Sequence, residues 1–174
     1  DAIDDLTPDS RTNIGAGLQT ARQLITSAGG VTANTYIVLM TDGLNNEPTP
    51  QATADATLQA QIDALLNDGI PVYVTCTGSD LGLDSQCAEI GAGTGGFYVD
   101  SADASKLPEA FVDFQARIAG HEPIASHQGQ LSKAKDQVVF VEQGSSSVVF
   151  VLLWDNPAAT AGMTVIDPDG NEYD

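Results

Sequence analysis

Basic residues are scarce in this sequence: Lys and Arg together number 6, against 24 Asp and Glu, for a net charge of −18. That argues against nucleic acid or an anionic membrane as partner, because both are recognised through a basic footprint. An acidic surface suits solubility, cation binding or a saline environment, and at its simplest it is a solvated face. Long apolar runs are missing too. None approaches the roughly 20 residues that span a bilayer, and the first residues lack the layout of a signal peptide. Histidine occurs twice, at His121 and His127, so no Ser/His/Asp set suggests itself. Cysteine also occurs twice, and the Cys76/Cys87 spacing fits neither CxxC redox nor zinc patterns. Two readings stay open for the pair: a disulfide, or two buried free thiols. Low Lys content and Thr/Ser/Asp-rich loops fit an exported protein, in which a disulfide persists. Cys76 closes a predicted strand and Cys87 falls in the first turn of the next predicted helix, within bridging range.

What is present is enough for a core. The chain has 174 residues, 42% of them hydrophobic, which allows one domain or one and a part. Thr12 to Thr26 reads as a helix, with Ile14, Leu18, Ala21 and Ile25 on one stripe and Gly29-Gly30 as its stop. "TYIVLMTDGLNN" (35–46) contains a strand over 35–41, apolar on both faces as in a parallel sheet covered by helices. A helix over 53–67 buries Leu58, Ile62 and Leu65, with Gly69 and Pro71 past its end. "IPVYVT" (70–75) is the next strand. "DSQCAEIGAG" (84–93) is a short helix capped by Ser85. "GFYV" (96–99) is a third strand. Residues 104–119 form a last helix with Leu107, Phe111, Phe114 and Ile118 in register. Alternating helix and strand imply a doubly wound α/β parallel sheet with helices on both faces. Three strands are few for such a sheet, so an N-terminal part is expected to be missing from this chain.

Near residue 120 the pattern changes. "GHEPIASHQGQLSKAKD" reads as a linker over 121–136. "QVVFVEQG" (137–144), "SVVFVLLW" (147–154) and "MTVIDPDGNEYD" (163–174) read as strands divided by turns, the start of an all-β sandwich. Trp154 is expected in its core.

Open α/β sheets bind ligands beyond the carboxyl ends of their strands, and Asp42 sits at such an end. Thr12, at a helix start, can lie at the same edge. A carboxylate and a hydroxyl, beside a turn made possible by Gly43, are hard oxygen donors suited to Mg²⁺. The plain alternatives are that Thr12 caps its helix and that Asp42 is a turn residue. In context, "TPDSRTNIGAGLQTARQLI" followed by "TYIVLMTDGLNN" resembles the von Willebrand factor type A domain. "TNIGAGL" is similar to that family's threonine-bearing helix start, and "VLMTDG" to its aspartate-bearing strand end. "GIPVYVT" and "GTGGFYVDSADASKLPEAF" resemble its closing strands and last helix. The resemblance covers residues 1–120 and makes them the C-terminal two-thirds of such a domain.

What the resemblance implies is a metal-ion-dependent adhesion site. Thr12 would ligate Mg²⁺, or Ca²⁺ or Mn²⁺, directly, and Asp42 directly or through water, with Gly43 and Asn45 close by. The family's D-x-S-x-S motif has no counterpart here, and "DDLTPDS" is not it. A complete site therefore needs residues outside this chain. The implied partner is a protein offering an acidic side chain, at the cell surface or outside the cell, with no enzymatic activity in this chain. A missing N-terminal segment or another chain would complete the sheet. "SSVVFVLLWDNPAATAGMTVIDPDGNEYD" is similar to the sandwich that follows the type A domain in calcium-activated chloride channel regulators and their bacterial relatives. Two other functions compete: a structural scaffold of a surface assembly with an unused metal site, and an accessory domain of a secreted metallohydrolase.

Other motifs fall away on spacing. His121 and His127 are six apart with Pro123 between, not one helical turn as a zincin requires. In "DPDGNEYD" Gly170 comes too early for an EF-hand, and a hairpin turn fits better. "GAGTGG" (91–96) follows a helix and precedes a strand, the reverse of a phosphate loop.

Overall fold

The structure, a computed structural model, describes residues 11–32, 34–78, 81–101, 104–127, 133–154 and 158–173. The chain divides into two compact units, Asp1–Ala119 and Gly120–Asp174.

In the first unit, α1 (Ile14–Ser27) begins after Asn13, whose side chain accepts from the Ala16 N–H at 2.8 Å. The cap is thus Asn13 and not Thr12, because an Asn side chain reaches the orphan N–H groups of the first turn. Ile14 and Leu18 are buried, and Ile25 packs against the core. Strand β1 (Ile37–Thr41) leads to α2 (Gln51–Asp68), which buries Ala54, Leu58, Ile62 and Leu65 on one stripe. Gly69 stops α2 in the left-handed conformation, φ 69°. Then come β2 (Val72–Cys76), α3 (Leu83–Gly93), β3 (Phe97–Asp100), a 3-10 turn (Ala104–Lys106) and α4 (Leu107–Ile118). Gly82 precedes α3 and no side chain caps it, so the expected Ser85 cap is not used.

The three strands are parallel, in the order β1-β2-β3. Two successive crossovers in one direction place α2 and α3 on the same face, since the connections are right-handed. On that face Ile37 lies opposite Val72, Leu39 opposite Val74, and Thr41 opposite Cys76. Val72, Val74 and Cys76 form the core with Leu58, Ile62, Leu65, Leu83 and Ile90, and the half-buried Ile37 and Leu39 pack against it. The other face carries Tyr73, ringed by Tyr36 at 5.4 Å, Phe97 at 4.6 Å and Phe114 of α4 at 6.2 Å. Helix α4 packs against β2 and β3 there. Val38 and Met40 remain 40% and 55% exposed, so β1 is not covered on both faces as its apolar sequence predicts. Among the described residues β1 pairs with β2 alone, leaving its other edge open.

The second unit departs further from expectation. Its strands are β4 (Val165–Ile166) and β5 (Glu172–Tyr173), an antiparallel pair two residues long. Asp167 closes the turn between them, accepting from the Asp169 and Asn171 N–H groups at 2.9 and 2.8 Å. The segments read as strands over 137–144 and 147–154 are neither helix nor strand. Phe140 is 89% exposed, and Trp154, expected in a core, is 53% exposed. A hairpin without a second apolar layer does not hold such strands together, and among the described residues no sandwich is seen. Among the described residues no helix is long and apolar enough to cross a membrane.

Candidate functional site

The site begins where β1 stops. The turn after Thr41 is closed by Thr41 itself: its hydroxyl donates to the Gly43 carbonyl at 3.0 Å and accepts from the Gly43 N–H at 3.3 Å. The Asn45 N–H goes to Gln86 Oε1 at 2.9 Å. Two backbone donors that a turn-forming aspartate would use, those of Gly43 and Asn45, are therefore engaged elsewhere. Among the described residues the Asp42 carboxylate accepts no hydrogen bond. It is exposed and lines a cleft of about 430 Å³ at the carboxyl edge of the sheet, shared with Thr12, Asn46, Gln51 and Gln86.

Thr12 reaches this cleft because its main chain is held on both sides by Asn46. The Thr12 N–H donates to Asn46 Oδ1 at 2.8 Å, and the Asn46 N–H donates to the Thr12 carbonyl at 2.9 Å. A methyl group on Gly43 would lie 2.9 Å from Thr12 Oγ1. Gly43 is not among the residues with positive φ, so the reason for glycine is this close approach rather than an unusual backbone. The Thr12 hydroxyl makes no hydrogen bond among the described residues. Two hard oxygens, one charged and one neutral, thus face one cleft without partners.

Asn45 was expected beside the site, but it does not line the cleft. It is fully buried, and its side chain joins three elements. Oδ1 accepts from the Ile14 and Gly15 N–H groups at 2.8 and 3.3 Å, and Nδ2 donates to the Ala54 carbonyl at 2.9 Å. Asn45 therefore fastens the β1 exit to the start of α1, which carries Thr12, and to α2. Gln51 Nε2 adds a bond to the Asn45 carbonyl at 2.8 Å.

Helix α3 is fixed beside this loop by two links. Cys76 and Cys87 form a disulfide with Cα atoms 6.6 Å apart, and both are buried. Tyr98 OH donates to Asp84 Oδ1 at 2.8 Å. Burial, then the nearby carboxylates of Asp84 and Asp100, pushes the Tyr98 phenol well above its ordinary range, so it remains a donor. The disulfide anchors the residue next to Gln86.

The structure thus brings Thr12, Asp42 and Gly43 together and assigns Asn45 a holding role. Asn46, Gln51 and Gln86 were not singled out in the sequence. Gln86 lies 41 positions from Asn45, and no local pattern marks such a contact. "DDLTPDS" lies outside the described residues. Among the described residues no three His, Cys, Asp or Glu side chains cluster to hold a metal ion. His121 and His127 lie in an irregular stretch of the second unit. No protein-family model matches the chain, and no curated protein matches it.

Proposed function

We propose that the first unit is a divalent-cation-dependent protein-binding module of the von Willebrand factor type A kind, acting in adhesion outside the cell or at its surface. The observation that carries this reading is the pair of unpartnered oxygens, Asp42 carboxylate and Thr12 hydroxyl, in one cleft at the carboxyl edge of a parallel sheet. Both are hard donors, and neither is spent on closing the turn or capping α1, so they fit Mg²⁺ better than a soft metal. They would fill only part of an octahedral shell, and residues outside this chain or water would complete it. A cation held here would supply positive charge and an exchangeable position for a partner's carboxylate. The chain's own contribution is to aim: Asn46 sets the Thr12 main chain, Asn45 locks the β1 exit onto α1, and Asp42 provides the charge. On this reading the open edge of β1 takes a further strand, from an N-terminal segment or another chain. Residues 137–174 would contribute strands to a sandwich.

Asp42→Ala tests the proposal. Mg²⁺ binding, measured by isothermal titration on the full chain, is expected to be lost or weakened by at least about tenfold. Stability should stay within about 0.5 kcal/mol, because the carboxylate makes no bond that folding needs. Unaltered Mg²⁺ affinity in this variant would overturn the assignment.

A further inference from the structure

The geometry points to Gln86 as the residue that selects a carboxylate ligand in the cleft, through a hydrogen bond from its side-chain nitrogen. This rests on the reading of the cleft as a cation and partner site. The orientation of the Gln86 amide is fixed by what it touches. Its partner is the Asn45 backbone N–H, a donor, at 2.9 Å. The atom facing that donor must therefore be Oε1. The nitrogen, Nε2, is left with two hydrogens and no hydrogen-bond partner among the described residues, on a side chain that lines the cleft.

Gln51 shows the opposite polarity, also forced. Its nitrogen donates to the Asn45 carbonyl at 2.8 Å and to Asp55 Oδ1 at 2.7 Å, both acceptors. Gln51 thus leaves an oxygen over. The cleft is therefore lined by acceptor or hydroxyl oxygens from Asp42, Thr12 and Gln51, and by two side-chain amide donors with free hydrogens, the half-buried Gln86 and the exposed Asn46, whose oxygen is taken by the Thr12 N–H. A carboxylate has two oxygens. One is drawn to the positive charge of the cation, and the other finds Gln86 Nε2 as a hydrogen-bond donor. The bond is charge-assisted and so stronger than a neutral one. Three features hold the donor in place: the Asn45 bond, the disulfide at the next residue, and the Tyr98–Asp84 bond. A rigid donor loses little freedom on binding.

The probe is a blocked acetyl-Gly-Asp-Gly-amide peptide, with Mg²⁺ titrated separately. The Gln86 side-chain NH₂ resonances are followed by NMR on the full chain. Adding the peptide in the presence of Mg²⁺ is expected to shift those resonances. Gln86→Met, which adds no charge, should weaken the peptide about tenfold while Mg²⁺ affinity changes less than about twofold. Gln86→Glu keeps an oxygen for the Asn45 N–H but has no donor, so it should not restore binding. If Gln86→Glu does restore it, Gln86 acts only by holding Asn45, and the inference is overturned. An unshifted NH₂ with the peptide bound overturns it as well. A shift that occurs equally without Mg²⁺ supports Gln86 as donor and overturns the cation reading. Absence of both Mg²⁺ binding and the shift overturns the two together.

Discussion

Asn45→Ala removes the side chain on which the candidate site's framework rests, and its cost can be worked from the bonds it makes. Two N–H groups at the start of α1, those of Ile14 and Gly15, would lose their acceptor. Asn45 is fully buried, so water cannot readily replace it. A buried donor left unsatisfied costs about 1–3 kcal/mol. The Gly15 bond, at 3.3 Å, is the weaker of the two. The Ala54 carbonyl loses Nδ2 but still accepts from Thr57 Oγ1 at 2.8 Å, so its share is small. The sum is about 3–4 kcal/mol, a large part of the roughly 5–15 kcal/mol that a domain has. Urea unfolding followed by circular dichroism would read this as a midpoint lowered by about 2 M, with slope unchanged. Asn46→Ala provides the contrast. Its bond to the Thr12 N–H is exposed to water, and its loss should cost no more than about 1 kcal/mol. A loss below about 1 kcal/mol for Asn45→Ala, or equal losses for the two variants, would refute the assignment of Asn45 as the buried fastening.

Two further outcomes follow from other parts of the unit. Replacing Cys76 and Cys87 together by Ser should destabilise by about 3 kcal/mol, the chain-entropy value for a loop of this size. It should also weaken Mg²⁺ binding if α3 holds the cleft, as denaturation and titration of the double variant would show. The Arg22–Asp68 pair, Nε to Oδ2 at 2.6 Å, sets a pH dependence. The hydrogen bond from the Arg22 guanidinium holds the Asp68 carboxyl below its ordinary range. A carboxyl depressed in the folded state stabilises above its unfolded pKa and loses that contribution as pH falls through the folded value. Melting temperatures of wild type and Asp68→Asn should therefore differ near pH 7 and converge as the pH falls through the lowered folded-state pKa of Asp68; a constant difference would count against the pair.

Much of the first unit's order was legible in the sequence, because it depends on local periodicity and punctuation. The stripe Leu58, Ile62, Leu65 fixes α2, and Gly69 and Pro71 end it; the structure follows within a residue or two. Alternation of helix and strand dictates a parallel sheet, and three strands are parallel. Boundaries and caps were less legible. Thr12 and Ser85 were reasonable cap residues by type, yet Asn13 and Gly82 hold those positions, since capping depends on backbone direction at one residue. The valine-rich segments 137–154 show where periodicity fails. A strand is stabilised by neighbours, not by its own pattern, and here Phe140 and Val149 stay exposed.

By itself, then, the sequence determined an acidic α/β unit with Asp42 at a strand's carboxyl end and a plausible hydroxyl partner in Thr12. Tertiary structure decided which groups are free to act. It spends Thr41 on the turn, buries Asn45 as the fastening, and gives Gly43 its purpose through the approach of Thr12 Oγ1. It also sets Gln86 against the β1 exit from 41 positions away. Such choices rest on which donor meets which acceptor across the fold, and hydrogen-bond partners distant in sequence leave no local pattern to read.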